Sequence, residues 1–166
     1  RLAHRVDDQF VADGRADERA DETAAASLHE CRSIRFEKGV VIQAREVDAC
    51  RALGFTSSAI VVVGRGGDTI IAASDDNARP HAMEAARRKA YTARTFSQPS
   101  ADFVKRLSDR PDTAGSRQYT RVLALGGGLP IKAGNEVVGA VGVSGSPGKD
   151  DVCSQAGIDK VADQLR

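Results

Sequence analysis

Five consecutive apolar residues, Ala59-Ile60-Val61-Val62-Val63, constrain this chain more than any other stretch. Four of the five branch at Cβ, which favours a pleated strand over a helix, and a short unbroken apolar run reads as a buried strand. Gly64-Arg65-Gly66-Gly67-Asp68 turns the chain, and Thr69-Ile70-Ile71-Ala72-Ala73 returns beside it. The pair is a β-hairpin.

The last third carries a second strand cluster. Tyr119 to Leu125 is expected as a strand, Gly126-Gly127-Gly128 as a turn, and Leu129-Pro130-Ile131 as a short extended piece. Ala133-Gly134-Asn135 is a hairpin turn leading into a glycine-containing strand from Glu136 to Val143. Helical spacing surrounds these strands. Val40, Val41, Ile42, Val47, Cys50 and Leu53 lie on one helix that ends at Gly54. Pro80 suits the first turn of a helix over about residues 80–95, with Met83, Ala86, Ala90 and Ala93 on one face. Small residues on that face permit close helix approach and predict self-association. Ser100 is expected to cap a short helix carrying Phe103, Val104 and Leu107, and Asp150 or Asp151 to cap a closing helix through Leu165. No strand–helix–strand alternation runs through this order. An antiparallel sheet with helices packed on it follows, an α+β layer fold.

At 166 residues the chain has the length of one ordinary domain. Residues 1–38 differ from the rest. Acidic and basic residues alternate there with weak apolar periodicity, so the reading is a charged N-terminal arm ahead of a domain over 39–166. The arm could wrap a partner protein and should be dispensable for folding. His4 and His29 read as surface histidines. Lys+Arg is 24 against 23 Asp+Glu, and aromatics are 4%, which disfavours nucleic acid as a partner. No apolar run nears the ~20 residues of a membrane span. Cys31, Cys50 and Cys153 are far apart with no C-x-x-C, so each is expected to be a buried free thiol, with a soft metal ligand as the alternative. A cytoplasmic setting is expected, or a secreted one where a leader precedes Arg1.

Several motifs fall away on context. Gly64-x-Gly66-Gly67 joins two strands with no helix after it, so the phosphate site at a helix start is missing. Gly126-Gly127-Gly128 has no following Gly-Lys-Ser/Thr. Gly142-x-Ser144-Gly145 has no later histidine to act as a base. His81, Glu84 and Arg88 stand on one helix face, where Glu84 and Arg88 form an i,i+4 ion pair or a polar face toward a ligand. His81 is near the helix start, where the dipole favours the neutral imidazole that ligates metals. Arg87, Arg88 and Lys89 form a basic triplet suited to carboxylates or phosphates, or a solvated face.

Two long blocks then carry a resemblance. Arg79-Pro80-His81-x-x-Glu84-Ala85-Ala86-Arg87-Arg88-Lys89-Ala90-Tyr91-Thr92-Ala93, with Phe96-x-x-Pro99-Ser100 after it, resembles the central helix of the GlcG/HbpS haem-binding family, which includes the C-terminal domain of PduO-type proteins. The second block is Leu125-Gly126-Gly127-Gly128-Leu129-Pro130-Ile131 followed by Gly134 to Gly145. The resemblance covers about residues 40–166. It implies a five-stranded antiparallel sheet flanked by helices, in a profilin- or PAS-like layer. It also implies homo-oligomers, often octamers, and haem binding, with haem degradation or redox sensing in some members. Carried onto this sequence, His81 is the first candidate for the iron ligand and Thr92 a hydroxyl alternative. Lys89, Arg87 and Arg88 are propionate candidates, Glu84 shares the polar face, and Gly126, Gly127 and Gly128 let backbone approach a flat ligand. No catalytic residue is assigned. Two other functions compete: an accessory subunit of a larger complex, and a small-molecule lyase or isomerase using His81 and Glu84 as acid and base.

Overall fold

The computed structural model describes residues 34–165. The expectations for most of the arm, and for His4, His29 and Cys31, lie outside them. Among the described residues four α-helices surround one sheet. They are α1 (Phe36–Ala52), α2 (Ala82–Phe96), α3 (Ser100–Asp109) and α4 (Asp150–Val161). Strands β1 (Ala59–Val63), β2 (Thr69–Ser74), β3 (Gly128–Ala133) and β4 (Glu136–Ser144) pair antiparallel in the order β2-β1-β4-β3. No helix here is long and apolar enough to cross a membrane.

The α+β antiparallel architecture holds, but the sheet has four strands rather than five. The expected strand from Tyr119 to Leu125 does not form. A 3-10 helix over Pro111–Gln118 leads into a turn in which the Val122 N–H donates to the Tyr119 carbonyl at 2.9 Å. The groups a neighbouring strand would have bonded are taken by α2. Arg88 Nη2 donates to the Val122 carbonyl at 2.8 Å, and the Leu123 N–H donates to Thr92 Oγ1 at 2.9 Å. Backbone groups satisfied by side chains have no need of a ladder.

β1 is central, and its unbroken apolar run follows from coverage on both faces. Ala59, Val61 and Val63 pack toward the alanines of α2, while Ile60 and Val62 pack toward the α1 and α4 side. In β4, Val138 is the extra residue of a bulge, since Ile131 pairs with Gly139 and Lys132 with Val137. The bulge resets the alternation, so Val138 joins Val141 in the same core cluster.

α2 lies unusually close to the sheet. A Cβ on Gly142 would collide with the Ala86 carbonyl, and one on Gly128 with the Lys89 carbonyl. Ala82, Ala86, Ala90 and Ala93 are at most 2% exposed. The alanine face is therefore occupied by the protein's own sheet, and it carries no case for self-association. Both expected N-caps are also corrected. Ser100 is the first residue of α3 rather than its cap, and its Oγ accepts from the Gly128 N–H at 2.8 Å. Asp150 and Asp151 sit in the first turn of α4 behind the N-cap Lys149, and both carboxylates reach to neighbouring loops.

The free-thiol reading fails for two cysteines. Cys50 of α1 and Cys153 of α4 form a disulfide across 103 residues, with Cα atoms 5.4 Å apart.

Candidate functional site

The loop that leads from β2 to α2 is anchored at Asp75. Its Oδ2 accepts from the Ser58 N–H at 3.1 Å, its Oδ1 pairs with Arg51 at 2.7 Å, and its N–H donates to the Ser58 carbonyl. The turn that follows delivers Arg79 and His81 to the rim of a cavity of about 630 Å³. The other walls are Phe55 and Ser57 before β1, Leu125 and Gly126 before β3, Ser144 at the end of β4 with Gly145, Pro147 and Gly148 after it, and Asp150 and Asp151 at the start of α4. The volume lies within the range of small-molecule sites, about 300–1,000 Å³.

Lys89 rises into the floor from α2. Its side chain is 1% exposed, and its Nζ donates to Asp150 Oδ2 at 2.7 Å and to the Val143 carbonyl at 3.0 Å. Asp150 Oδ1 accepts from the Ser146 N–H at 2.8 Å. Asp151 Oδ1 accepts from the Gly127 N–H at 2.8 Å. Each acidic group of the cavity thus has a donor. Arg79 is exposed and has no ion pair among the described residues, so it is the cation available to an anionic ligand.

The nine sequence-derived candidates separate in the structure. His81, Lys89 and Gly126 line the cavity. Glu84 and Arg88 pair with each other at 3.3 Å, and Arg88 also holds the Val122 carbonyl, so this pair braces α2 against the 119–125 segment. Arg87 is exposed and outside the cavity wall. Thr92 is fully buried, donating to the Arg88 carbonyl and accepting from Leu123. Gly127 and Gly128 face protein rather than ligand. At φ +112°, a Cβ on Gly127 would stand 2.7 Å from Asp150 Cβ, and its carbonyl accepts from Ser154 and Val143.

Sequence reasoning missed Phe55, Arg79, Leu125, Asp150 and Asp151. Arg79 had a usable signal, since it stands two residues before His81 in the same turn. In sequence the aspartates look like helix caps, and only the fold brings Asp150 to Lys89 and Asp151 to the Gly127 N–H. Among the described residues no three His, Cys, Asp or Glu side chains gather to hold a metal ion. A buried acid lies elsewhere: Glu46 of α1 is fully buried with no hydrogen-bond partner among the described residues on either oxygen, and burial pushes its pKa well above the usual carboxylate range.

Comparison with known proteins gives a consistent picture. The sequence family described as haem degrading protein HbpS-like matches residues 39–159. A 15.0 kDa protein of the dhaT-dhaS intergenic region of Citrobacter freundii, described as uncharacterized, is 32% identical over 92 residues, 54% of this chain; the match spans 65% of that protein's length. A double mutant of HbpS from Streptomyces reticuli superposes with a TM-score of 0.72 at 28% identity, over 78% of this chain and 87% of that one. The structure titled PduOC:Heme Complex shares the fold, with a TM-score of 0.68 at 19% identity, over 76% of this chain and 94% of that one.

Proposed function

This chain belongs to the family of haem degrading proteins called HbpS-like, and from that premise we propose that it binds haem in the cavity between the start of α2 and the β4–α4 loop. The observation that carries the reading is the pairing, at one rim, of an imidazole with an unpaired arginine above an apolar and glycine-lined wall. Phe55, Ala82, Leu125 and Pro147 offer the surface a porphyrin face needs. Arg79 suits a propionate, and His81 suits the iron. The aspartates do not oppose an anionic ligand as bare charges, since Asp150 is held by Lys89 and Asp151 by a backbone N–H.

Bound haem would supply the iron and oxygen chemistry. The chain's own residues would do the rest. His81 offers one nitrogen, Arg79 fixes orientation through charge, and Lys89 keeps the floor closed by tying α2 to β4 and α4. Arg87, Arg88 and Thr92 have no role in this reading, because one lies outside the cavity and the other two are engaged in holding the 119–125 segment. Breakdown of the bound haem, following the family's description, is the finer proposal. Self-association belongs to it as well, as the resemblance to the family implies.

Titration with hemin tests the reading. A stoichiometric Soret shift is expected in the parent protein. His81→Ala should shift the band and weaken uptake, while costing less than about 1 kcal/mol of stability, as befits an exposed residue. No Soret change in the parent would end the proposal. Spectra superimposable between parent and variant would remove His81 from it.

A further inference from the structure

The Cys50–Cys153 bridge has no part in haem binding as proposed, yet it lies directly behind the cavity wall. Cys50 is near the end of α1, Cys153 is in the first turn of α4, and both are fully buried. Ser146, in the loop between β4 and α4, touches the bridge. Its Oγ donates to Cys50 Sγ at 3.3 Å, lies 3.8 Å from Cys153 Sγ, and pairs with Ser58 Oγ at 2.7 Å. Its N–H donates to one oxygen of Asp150, whose other oxygen holds Lys89. The neighbours of Ser146 on either side, Gly145 and Pro147, line the cavity. The bridge, Ser146, Asp150 and Lys89 therefore form one continuous set of contacts that ends in the cavity floor.

We propose that Cys50 and Cys153 are a redox couple that sets the shape of this cavity. With the disulfide intact the 145–149 loop is held and the cavity binds its ligand; with two thiols the loop loosens and affinity falls. The step is exchange with a dithiol reductant. One reductant sulfur attacks one sulfur of the bridge, breaks the S–S bond and frees the other cysteine, and the second reductant sulfur then attacks the first in the mixed disulfide and frees the remaining cysteine. The two protons of the reductant end on Cys50 and Cys153, and the reductant leaves as a disulfide. Two non-bonded sulfurs cannot stay at the roughly 2.05 Å of a covalent bond, so the ends of α1 and α4 must adjust. Each new S–H is also a donor where the bridge had none, and Ser146 Oγ is the acceptor in reach. The hydrogen bonds that fix the loop are rearranged as a result. A purely structural staple would raise overall stability and leave the loop indifferent to redox state.

The full chain is compared oxidised and after treatment with dithiothreitol, with the appearance of two thiols checked by alkylation and mass. Hydrogen exchange at residues 145–151 is expected to run roughly tenfold faster in the reduced form. Zinc protoporphyrin IX, whose metal is inert to the reductant, should bind about fivefold more weakly. The porphyrin arm rests on the haem reading, whereas the exchange arm does not. A chain that takes up no porphyrin in either state, but whose loop responds to reduction, supports the coupling and defeats the haem reading. Equal exchange at 145–151 in the two states, or acceleration spread evenly over the chain, overturns the proposal. The Cys50→Ser/Cys153→Ser protein should behave as the reduced form. Should that variant fail to fold, Ser146→Ala keeps the bridge and severs its link to the loop. Residues 145–151 should then ignore dithiothreitol, and retained sensitivity counts against the coupling.

Discussion

Lys89 and Asp150 illustrate how unequal the two halves of one ion pair can be. Lys89 is 1% exposed and Asp150 14%, so removing the carboxylate strands the better buried charge. Asp150→Ala is expected to cost about 3–5 kcal/mol, whereas Lys89→Met should cost clearly less, because Asp150 keeps the Ser146 N–H and some contact with water. The double variant Lys89→Met/Asp150→Ala should recover much of the loss. Urea denaturation of the parent and the three variants, read as a double-mutant cycle, checks this. Glu46 gives a prediction with a pH sign. Its folded carboxyl holds its proton to a higher pH than the unfolded one, which ionises at about 4.3. Stability is therefore fullest below that value and is lost as pH rises through the folded pKa. Glu46→Met should stabilise the protein by about 1–3 kcal/mol at pH 7 and flatten the decline expected as pH rises from about 4.3 through the raised folded pKa. A parent protein whose stability does not fall over that window would contradict the burial argument.

At the scale of elements, α2 does three jobs with different faces. Its alanines pack on the sheet, Lys89 closes the cavity floor, and Arg88 with Thr92 fastens the 119–125 segment. Thr92→Val keeps the shape but leaves the Leu123 N–H without its acceptor. A loss of about 1–3 kcal/mol is expected, with faster exchange of the Leu123 amide as the local readout. This element also shows where legibility ended. The β1–β2 and β3–β4 hairpins could be read from sequence because their turns and alternation are local. The 119–125 segment has the composition of a strand, but whether it joins a ladder depends on which groups meet its backbone. Here those groups come from side chains roughly 30 residues earlier in the chain. The candidate site divides in the same way. His81 was legible from its place beside Pro80, while Asp150, Leu125 and the Cys50–Cys153 bridge depend on pairings that span most of the domain.

For the molecule as a whole, the first buried core position among the described residues is Ile34, ahead of α1. A truncation that begins at Arg32 keeps it and should unfold cooperatively, whereas one that begins at Gly39 removes Ile34 and the first turn of α1 and should be measurably less stable. Thermal denaturation of both checks this boundary against the arm limit at residue 38 that composition suggests. The strand order has a further consequence, for the time course of folding. Each outer pair, β1 with β2 and β3 with β4, joins neighbours in the chain, but the inner pair matches Ala59 with Ser144 and Val63 with Ala140. The centre of the sheet therefore closes a loop of roughly 80 residues, and such closure carries an entropy cost before any contact repays it. The two hairpins can form early and independently. The search that brings them edge to edge, with α2 laid across the seam at Gly142, is then the slow step, and until it ends the apolar edge of β1 is open to other chains.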